Sequence, residues 1–293
     1  MKLDFVIPGF SKCGTTTLCA LLDHHPQISI SNYKEPCYFS HKFHLGEEYY
    51  STFFKHAKEN ALRGDGSTNY SSEQHAKLTL SRILDYAPDA RFIFIARDPF
   101  TRLESSYHEM HSSGYKYSIF PEFGIDKALV QLPNMIADTR YWTLFNYFRE
   151  HVPDRRILVL LLEEFNKTPT QHVQRCLEFL GVDANWSPPN ESLKLNPSST
   201  KRYDSRLYRL IQRTPWLQKK WQGMSKERQA WLVKTLDLRP KFKSPVVWPR
   251  EYREKLEREL AQEAIPFLQH IGKPLSHWSW CEKYATTQVR NAA

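Results

Sequence analysis

The sequence predicts an α/β fold in which a central parallel sheet is flanked by helices in three layers, and three stretches carry that prediction. Residues 3–7 form a short apolar run rich in strand formers. Pro8 and Gly9 break it, and a Thr-rich entry follows into an apolar-periodic stretch with Leu18, Leu21 and Leu22. Residues 91–96 (RFIFIA) run into Asp98 and Pro99, a helix-start signature, and then into a helix through about residue 111. Residues 156–162 (RILVLLL) are followed by a Thr168-Pro169 start and a helix with Val173, Leu177 and Leu180 in phase, closed by Gly181. Strands that alternate with helices in this way pair in parallel and need helices on both faces.

Between these units the periodicity predicts helices at 72–86 and 136–151. The C-terminal third shows helical periods at 205–212 and 249–269, with no further convincing strand and no internal repeat. With no linker signal in 293 residues, one domain over 1–293 is expected, with a basic helical C-terminal part from about residue 196.

Hydrophobic residues make up 41% and aromatic residues 14%, which excludes a disordered chain. No run approaches the roughly 18 apolar residues of a spanning helix, and the N-terminus lacks the pattern of a signal peptide, so a cytoplasmic location is expected. Five scattered cysteines without a CxxC suggest neither a disulfide framework nor a zinc site.

The formal charge of +9 is concentrated. Residues 201–243 hold thirteen Lys or Arg against three acids, so the rest of the chain is close to neutral. Such a segment raises the local concentration of anionic ligands, or it is a solvated helix face.

The first strand delivers the chain into Gly9-Phe10-Ser11-Lys12-Cys13-Gly14-Thr15-Thr16-Thr17. A glycine-bearing loop that feeds a helix start presents unpaired N–H groups and a positive dipole end to a phosphate. Gly9 and Gly14 have the spacing of a P-loop, yet Thr15 stands where its lysine belongs and the cation is Lys12. The cradle is kept and the charge that a nucleoside triphosphate needs is moved, so a nucleotide with a single 5′ phosphate fits better than ATP.

Lys12-Cys13-Gly14-Thr15-Thr16-Thr17-Leu18 resembles the K-x-G-T-T-x-L phosphosulfate-binding loop of sulfotransferases that use 3′-phosphoadenosine-5′-phosphosulfate (PAPS). Residues 97–107 (RDPFTRLESSY) resemble the same family's R-[DN]-P-x-x-R-x-x-S-x-[YF] element, in which the first arginine and the serine hold the 3′ phosphate. The resemblance thus implies that role for Arg97 and Ser105. Arg97 also leaves a strand at its carboxyl end, where ligands of open α/β sheets bind, and a guanidinium grips phosphate bidentately.

Residues 34–39 (KEPCYF) are similar to the K-E-x-x-F-F stretch of heparan-type glycan sulfotransferases, which implies Glu35 as general base. Residues 196–203, with Lys201 and Arg202, fall where that family has a basic loop over the nucleotide. The family's E-K-[ST]-x-x-Y stretch is here Asp65-Gly66-Ser67-Thr68-Asn69-Tyr70, with Gly66 in place of the lysine.

The resemblance implies a P-loop-like fold and sulfuryl transfer from PAPS, leaving adenosine-3′,5′-bisphosphate. Lys12 would neutralise the departing phosphate and no metal would be needed. The acceptor would be a glycan or other small molecule, an acidic one included, and not nucleic acid. His41 and His44 are rival bases. Cys13, at a helix start beside a lysine, has a setting that would stabilise a thiolate. Tyr203, Tyr208, Trp216 and Trp221 are candidates for stacking on a sugar or on adenine, or for packing. Two other readings stay open: a small-molecule kinase, which would require ATP and magnesium, and a non-catalytic polyanion binder using the basic segment.

Overall fold

A computed structural model describes residues 2–186, 202–242 and 245–285. Five strands, β1 (Phe5–Gly9), β2 (Ile28–Ile30), β3 (Leu62–Asp65), β4 (Arg91–Ala96) and β5 (Ile157–Leu161), form one sheet in the order β2-β3-β1-β4-β5. Every pairing is parallel, with Phe5 opposite both Gly64 and Arg91, and Phe92 opposite Ile157. All of β1 and most of β4 are buried, which is why both read as continuous apolar runs.

The three strands predicted from sequence are present, and β2 and β3 are additions. At three and four residues they are too short to show a period, and β3 reads Leu-Arg-Gly-Asp. Tertiary pairing makes it a strand: a Cβ at Gly64 would fall into the Phe5 ring across the ladder, so the glycine lets β3 close on β1.

The helices are α1 (Thr15–Asp23), α2 (Gly46–Ser51), α3 (Ala76–Tyr86), α4 (Pro99–Ser113), α5 (Ile125–Gln131), α6 (Asn134–Ala137) and α7 (Tyr141–His151). They continue with α8 (Leu162–Phe165), α9 (Pro169–Leu180), α10 (Arg206–Arg213), α11 (Pro215–Gln222), α12 (Lys226–Thr235) and α13 (Arg250–His270). The punctuation works as the sequence indicates. Asp98 Oδ1 accepts the Thr101 N–H at 2.9 Å ahead of Pro99, and Gly181 closes α9 in the left-handed region at φ 75°. The predicted helix 136–151 is divided instead, because the backbone between Ala137 and Tyr141 turns, with Thr139 and Arg140 donating to Ile136 and Ala137. None of the described helices is long and apolar enough to cross a membrane.

The described chain groups into two compact units, one of residues 2–102, 136–186 and 255–285, the other of 103–135, 202–242 and 245–254. The first carries the sheet. Its core includes Phe10 against Tyr141 at 4.4 Å between ring centroids, and Phe267 stacked on Trp278 at 4° between planes. The second is helical and its interior is partly polar. Buried Arg209 lies over the Phe123 ring at 4.4 Å and donates from Nε to the Asp204 carbonyl at 3.0 Å and to Pro121 and His111. Asp204 in turn pairs with Arg239 at 2.8 Å.

Candidate active site

Strand order sets the location. From β1 the chain moves through α1 toward β2 and β3, and β4 then returns to the other side of β1, so the connections leaving β1 and β4 diverge. Open α/β sheets bind ligands in the crevice at such a point, outside the carboxyl ends of the strands. Lys12 follows β1 there, and Arg97 follows β4.

The loop between β1 and α1 is bent by two left-handed residues, Gly14 at φ 89° and Lys12 at φ 66°. The glycine is required twice over, because a Cβ there would also stand 2.5 Å from Leu162 Cδ1. Lys12 has no such licence, and a non-glycine residue held in this region costs on the order of 1 kcal/mol. Two arginines hold the bend: the Arg97 guanidinium donates to the Lys12 carbonyl at 3.4 Å, and Arg102, 2% exposed, donates from Nε to the Ser11 carbonyl at 3.1 Å. Arg102 also donates to Thr139 Oγ1 at 2.6 Å.

The Gly14 carbonyl accepts the Thr17 and Leu18 N–H groups at 3.1 and 3.2 Å, which starts α1. The N–H groups of Thr15 and Thr16 lie in the first turn, where no intrahelical acceptor exists, and point with the positive end of the helix dipole toward the loop. With half-buried Lys12 and Arg97 this is a cradle fitted to a phosphate or sulfate ester, so the residues present suit the nucleotide that the sequence implies.

Glu35 is joined to the cradle by a chain of hydrogen bonds. Lys34 Nζ donates to Thr15 Oγ1 at 3.2 Å and to Glu35 Oε1 at 3.2 Å, and Thr68 Oγ1 donates to the same Oε1 at 2.8 Å. Beneath it lies Asp65, fully buried. Its Oδ2 accepts from Tyr50 and Tyr70, both at 2.9 Å, and its Oδ1 from the Ser67 N–H at 3.0 Å and the Ser67 hydroxyl at 2.6 Å. Ser67 Oγ and Tyr70 Oη then accept the N–H groups of Cys37 and Phe39, which fixes the segment carrying Glu35. Burial pushes the Asp65 carboxyl above its usual range, and the four donors oppose that shift.

The structure thus brings together Lys12, Cys13, Gly14, Thr15, Thr16, Arg97 and Glu35. Thr17 is half-buried in the first turn of α1. Ser105 is half-buried on α4, two turns beyond Pro99, and falls in the second unit. Arg202 is also in that unit and donates to the Arg239 carbonyl at 2.8 Å, while Lys201 lies outside the described residues. His41 packs edge-on against His75 at 4.5 Å, and His44 is exposed.

Cys13 corrects one expectation. Its backbone is in the cradle, but its Sγ is buried, 3.5 Å from the Ser11 carbonyl and from Tyr141 Oη. Burial pushes the thiol up, and this outweighs Arg102 and Arg97, so the helix start does not make a thiolate. Tyr203 likewise packs, against Phe242 at 4.9 Å, and Tyr208 meets Trp221 at 5.4 Å. Sequence reasoning passed over Lys34, Asp65 and Arg102 as site residues. Arg102 was visible as the second arginine of its motif, but nothing local shows that it turns back onto Ser11.

Comparison with known proteins agrees with this geometry. A model of the sulfotransferase domain matches residues 2–232. The chain is 32% identical over 108 residues to a membrane-associated sulfotransferase, kil1, of Dictyostelium discoideum, covering 36% of this chain and 22% of that protein. It is 23% identical over 181 residues to human heparan sulfate glucosamine 3-O-sulfotransferase 3B1, covering 60% of this chain and 45% of that one. The chain therefore spans less than half the length of these relatives. A sulfotransferase structure from Alicyclobacillus acidocaldarius superposes with a TM-score of 0.65 at 20% identity, over 95% of this chain and 99% of that one, and so shares the fold. The chain belongs to the sulfotransferase domain family.

Proposed function

We propose that the chain is a PAPS-dependent sulfotransferase that acts on a hydroxyl or amine of a carbohydrate. The observation that carries this reading is the hydrogen-bonded path from Thr15 through Lys34 to Glu35, which ties a carboxylate to an anion cradle. PAPS supplies an activated sulfuryl group whose departure leaves negative charge on a 5′ phosphate.

Lys12 and the N–H groups of Thr15 and Thr16 bind and neutralise that phosphate, in a geometry fixed before the reaction. Arg97 and Ser105 hold the 3′ phosphate, with Lys201 and Arg202 as further cations for the nucleotide. Glu35 takes the proton from the attacking acceptor. Both of its contacts among the described residues fall on Oε1, so Oε2 is the oxygen that receives it. A carbohydrate acceptor is supported by the names of the heparan relatives and, for an acidic glycan, by the basic segment.

The test is thermal stabilisation by adenosine-3′,5′-bisphosphate against ATP with magnesium, on the wild type and Arg97→Ala. A ligand specific to the folded state raises its stability with the logarithm of saturation. Stabilisation by the bisphosphate alone, lost in the variant, is expected. Stabilisation by ATP alone overturns the reading in favour of a kinase, and stabilisation by neither leaves the polyanion binder.

A further inference from the structure

Lys34 serves in the reading above only as the link between Thr15 and Glu35, and its position suits a further role. Its side chain is only 18% exposed, and its ammonium sits 3.2 Å from Thr15 Oγ1, at the N-terminus of α1. A cation at the positive end of a helix dipole is an unfavourable placement unless an anion joins it. Glu35 supplies one carboxylate at 3.2 Å, so the ammonium bridges the helix start and that carboxylate.

The ammonium carries three hydrogens. Among the described residues two are given, to Thr15 Oγ1 and Glu35 Oε1, which leaves one for a ligand. Gly66 lies beside this side chain: a Cβ there would clash with Cys19 Sγ at 2.6 Å and stand in ordinary contact, 3.7 Å, with Lys34 Cε.

We propose that Lys34 is a second catalytic cation of the transfer site, which donates to an oxygen of the sulfuryl group between the cradle and Glu35. This rests on the sulfotransferase reading. In the step it serves, a bond forms from the acceptor oxygen or nitrogen to sulfur, and the bond from sulfur to the phosphate oxygen breaks. The electron pair leaves on the phosphate, and the acceptor proton passes to Glu35. Lys34 neither gains nor loses a proton. It offsets charge on the sulfuryl oxygens and, through Oε1, orients the carboxylate so that Oε2 faces the acceptor.

The role separates two nucleotides that Lys12 and Arg97 alone would treat alike, because the bisphosphate product has no sulfuryl group and PAPS has one. The experiment measures the Kd of each by calorimetry without acceptor, and kcat, for the wild type, Lys34→Met and Lys34→Arg. Lys34→Met is expected to keep its bisphosphate affinity within about threefold while it loses about tenfold for PAPS, the equivalent of one charge-assisted hydrogen bond. Its kcat should fall about a hundredfold. Lys34→Arg should recover most of the PAPS affinity. Equal losses for both nucleotides, or no loss for either, overturn the role of Lys34 while the site reading stands. A wild type that binds neither nucleotide overturns both.

Discussion

The surroundings of the loop from Gly9 to Thr17, where Lys12, Lys34, Arg97 and Arg102 meet, and the segment from Arg202 to Phe242 both gather positive charge, and they use it in opposite ways. Around the loop each cation has a direction: Arg102 and Arg97 donate to successive loop carbonyls, and Lys34 reaches the helix start. In the segment, Arg209, Arg239 and Arg202 are held by carbonyls or by Asp204 within their own unit, while Lys219, Lys220, Lys226 and Lys234 face solvent on α11 and α12. The denser charge builds a surface, whereas the sparser one lines the candidate site. What distinguishes them is convergence on unsatisfied N–H groups at a fixed helix start, a property of arrangement and not of count.

The sharpest way to break this comparison is to remove charge from each region in turn. Lys12→Ala should lower kcat by about a hundred- to a thousandfold, because a preorganised donor to developing charge is lost. The double variant Lys219→Gln/Lys220→Gln should stay within about twofold, as exposed charges contribute little. Steady-state kinetics on both decides it, and a collapse in the double variant with little change in Lys12→Ala would reverse the assignment.

The next effect is on stability. Asp65→Ala leaves the buried hydroxyls of Tyr50 and Tyr70 without their acceptor and frees Ser67, and should cost about 3 kcal/mol in urea unfolding. It should also lower turnover, since the segment carrying Glu35 is hung from Ser67 and Tyr70. Because burial raises the Asp65 carboxyl above its unfolded value, its contribution is fully present below that unfolded value. It declines as pH rises through the folded one.

The helical unit should respond to acid with the opposite sign. Burial, together with Arg209, pushes the His111 imidazole down to about 3. Between about 6.5 and 3 the unfolded chain therefore binds a proton that the folded one refuses, and stability falls as pH drops through that window. Thermal midpoints between pH 7 and 4 should fall less steeply in His111→Gln, a smaller effect than the other two. An unchanged slope would mean that the buried contact with Arg209 does not set the acid response.

How much of this could be read in advance follows from the range of the forces involved. Strands β1 and β4 lie in continuous apolar runs because burial on both faces imposes a local pattern, while β5, at the sheet edge and half-buried over Ile157–Val159, shows an equally apolar run; helix starts follow all three. The loop was equally legible: Gly14 answers a backbone requirement, Lys12 comes three residues after β1, and Arg97 directly follows β4. Cys13 went the other way, since residue type and position cannot say which side of a loop its side chain takes, and burial beside Tyr141 decides its chemistry.

By itself, then, the sequence determined the α/β alternation and the glycine-bearing loop between β1 and α1, both of which depend on neighbours within a few residues, while Glu35 was singled out by resemblance to a family stretch. Only the tertiary structure decided that β3 inserts between β1 and β2, that Arg102 returns to Ser11, and that Lys34 meets both Thr15 and Glu35. The contacts of Lys34 with Thr15 and of Arg102 with Ser11 join residues 19 and 91 positions apart, and the strands pair out of chain order; all are fixed by close packing and by the need to pair buried polar groups, which no local pattern records.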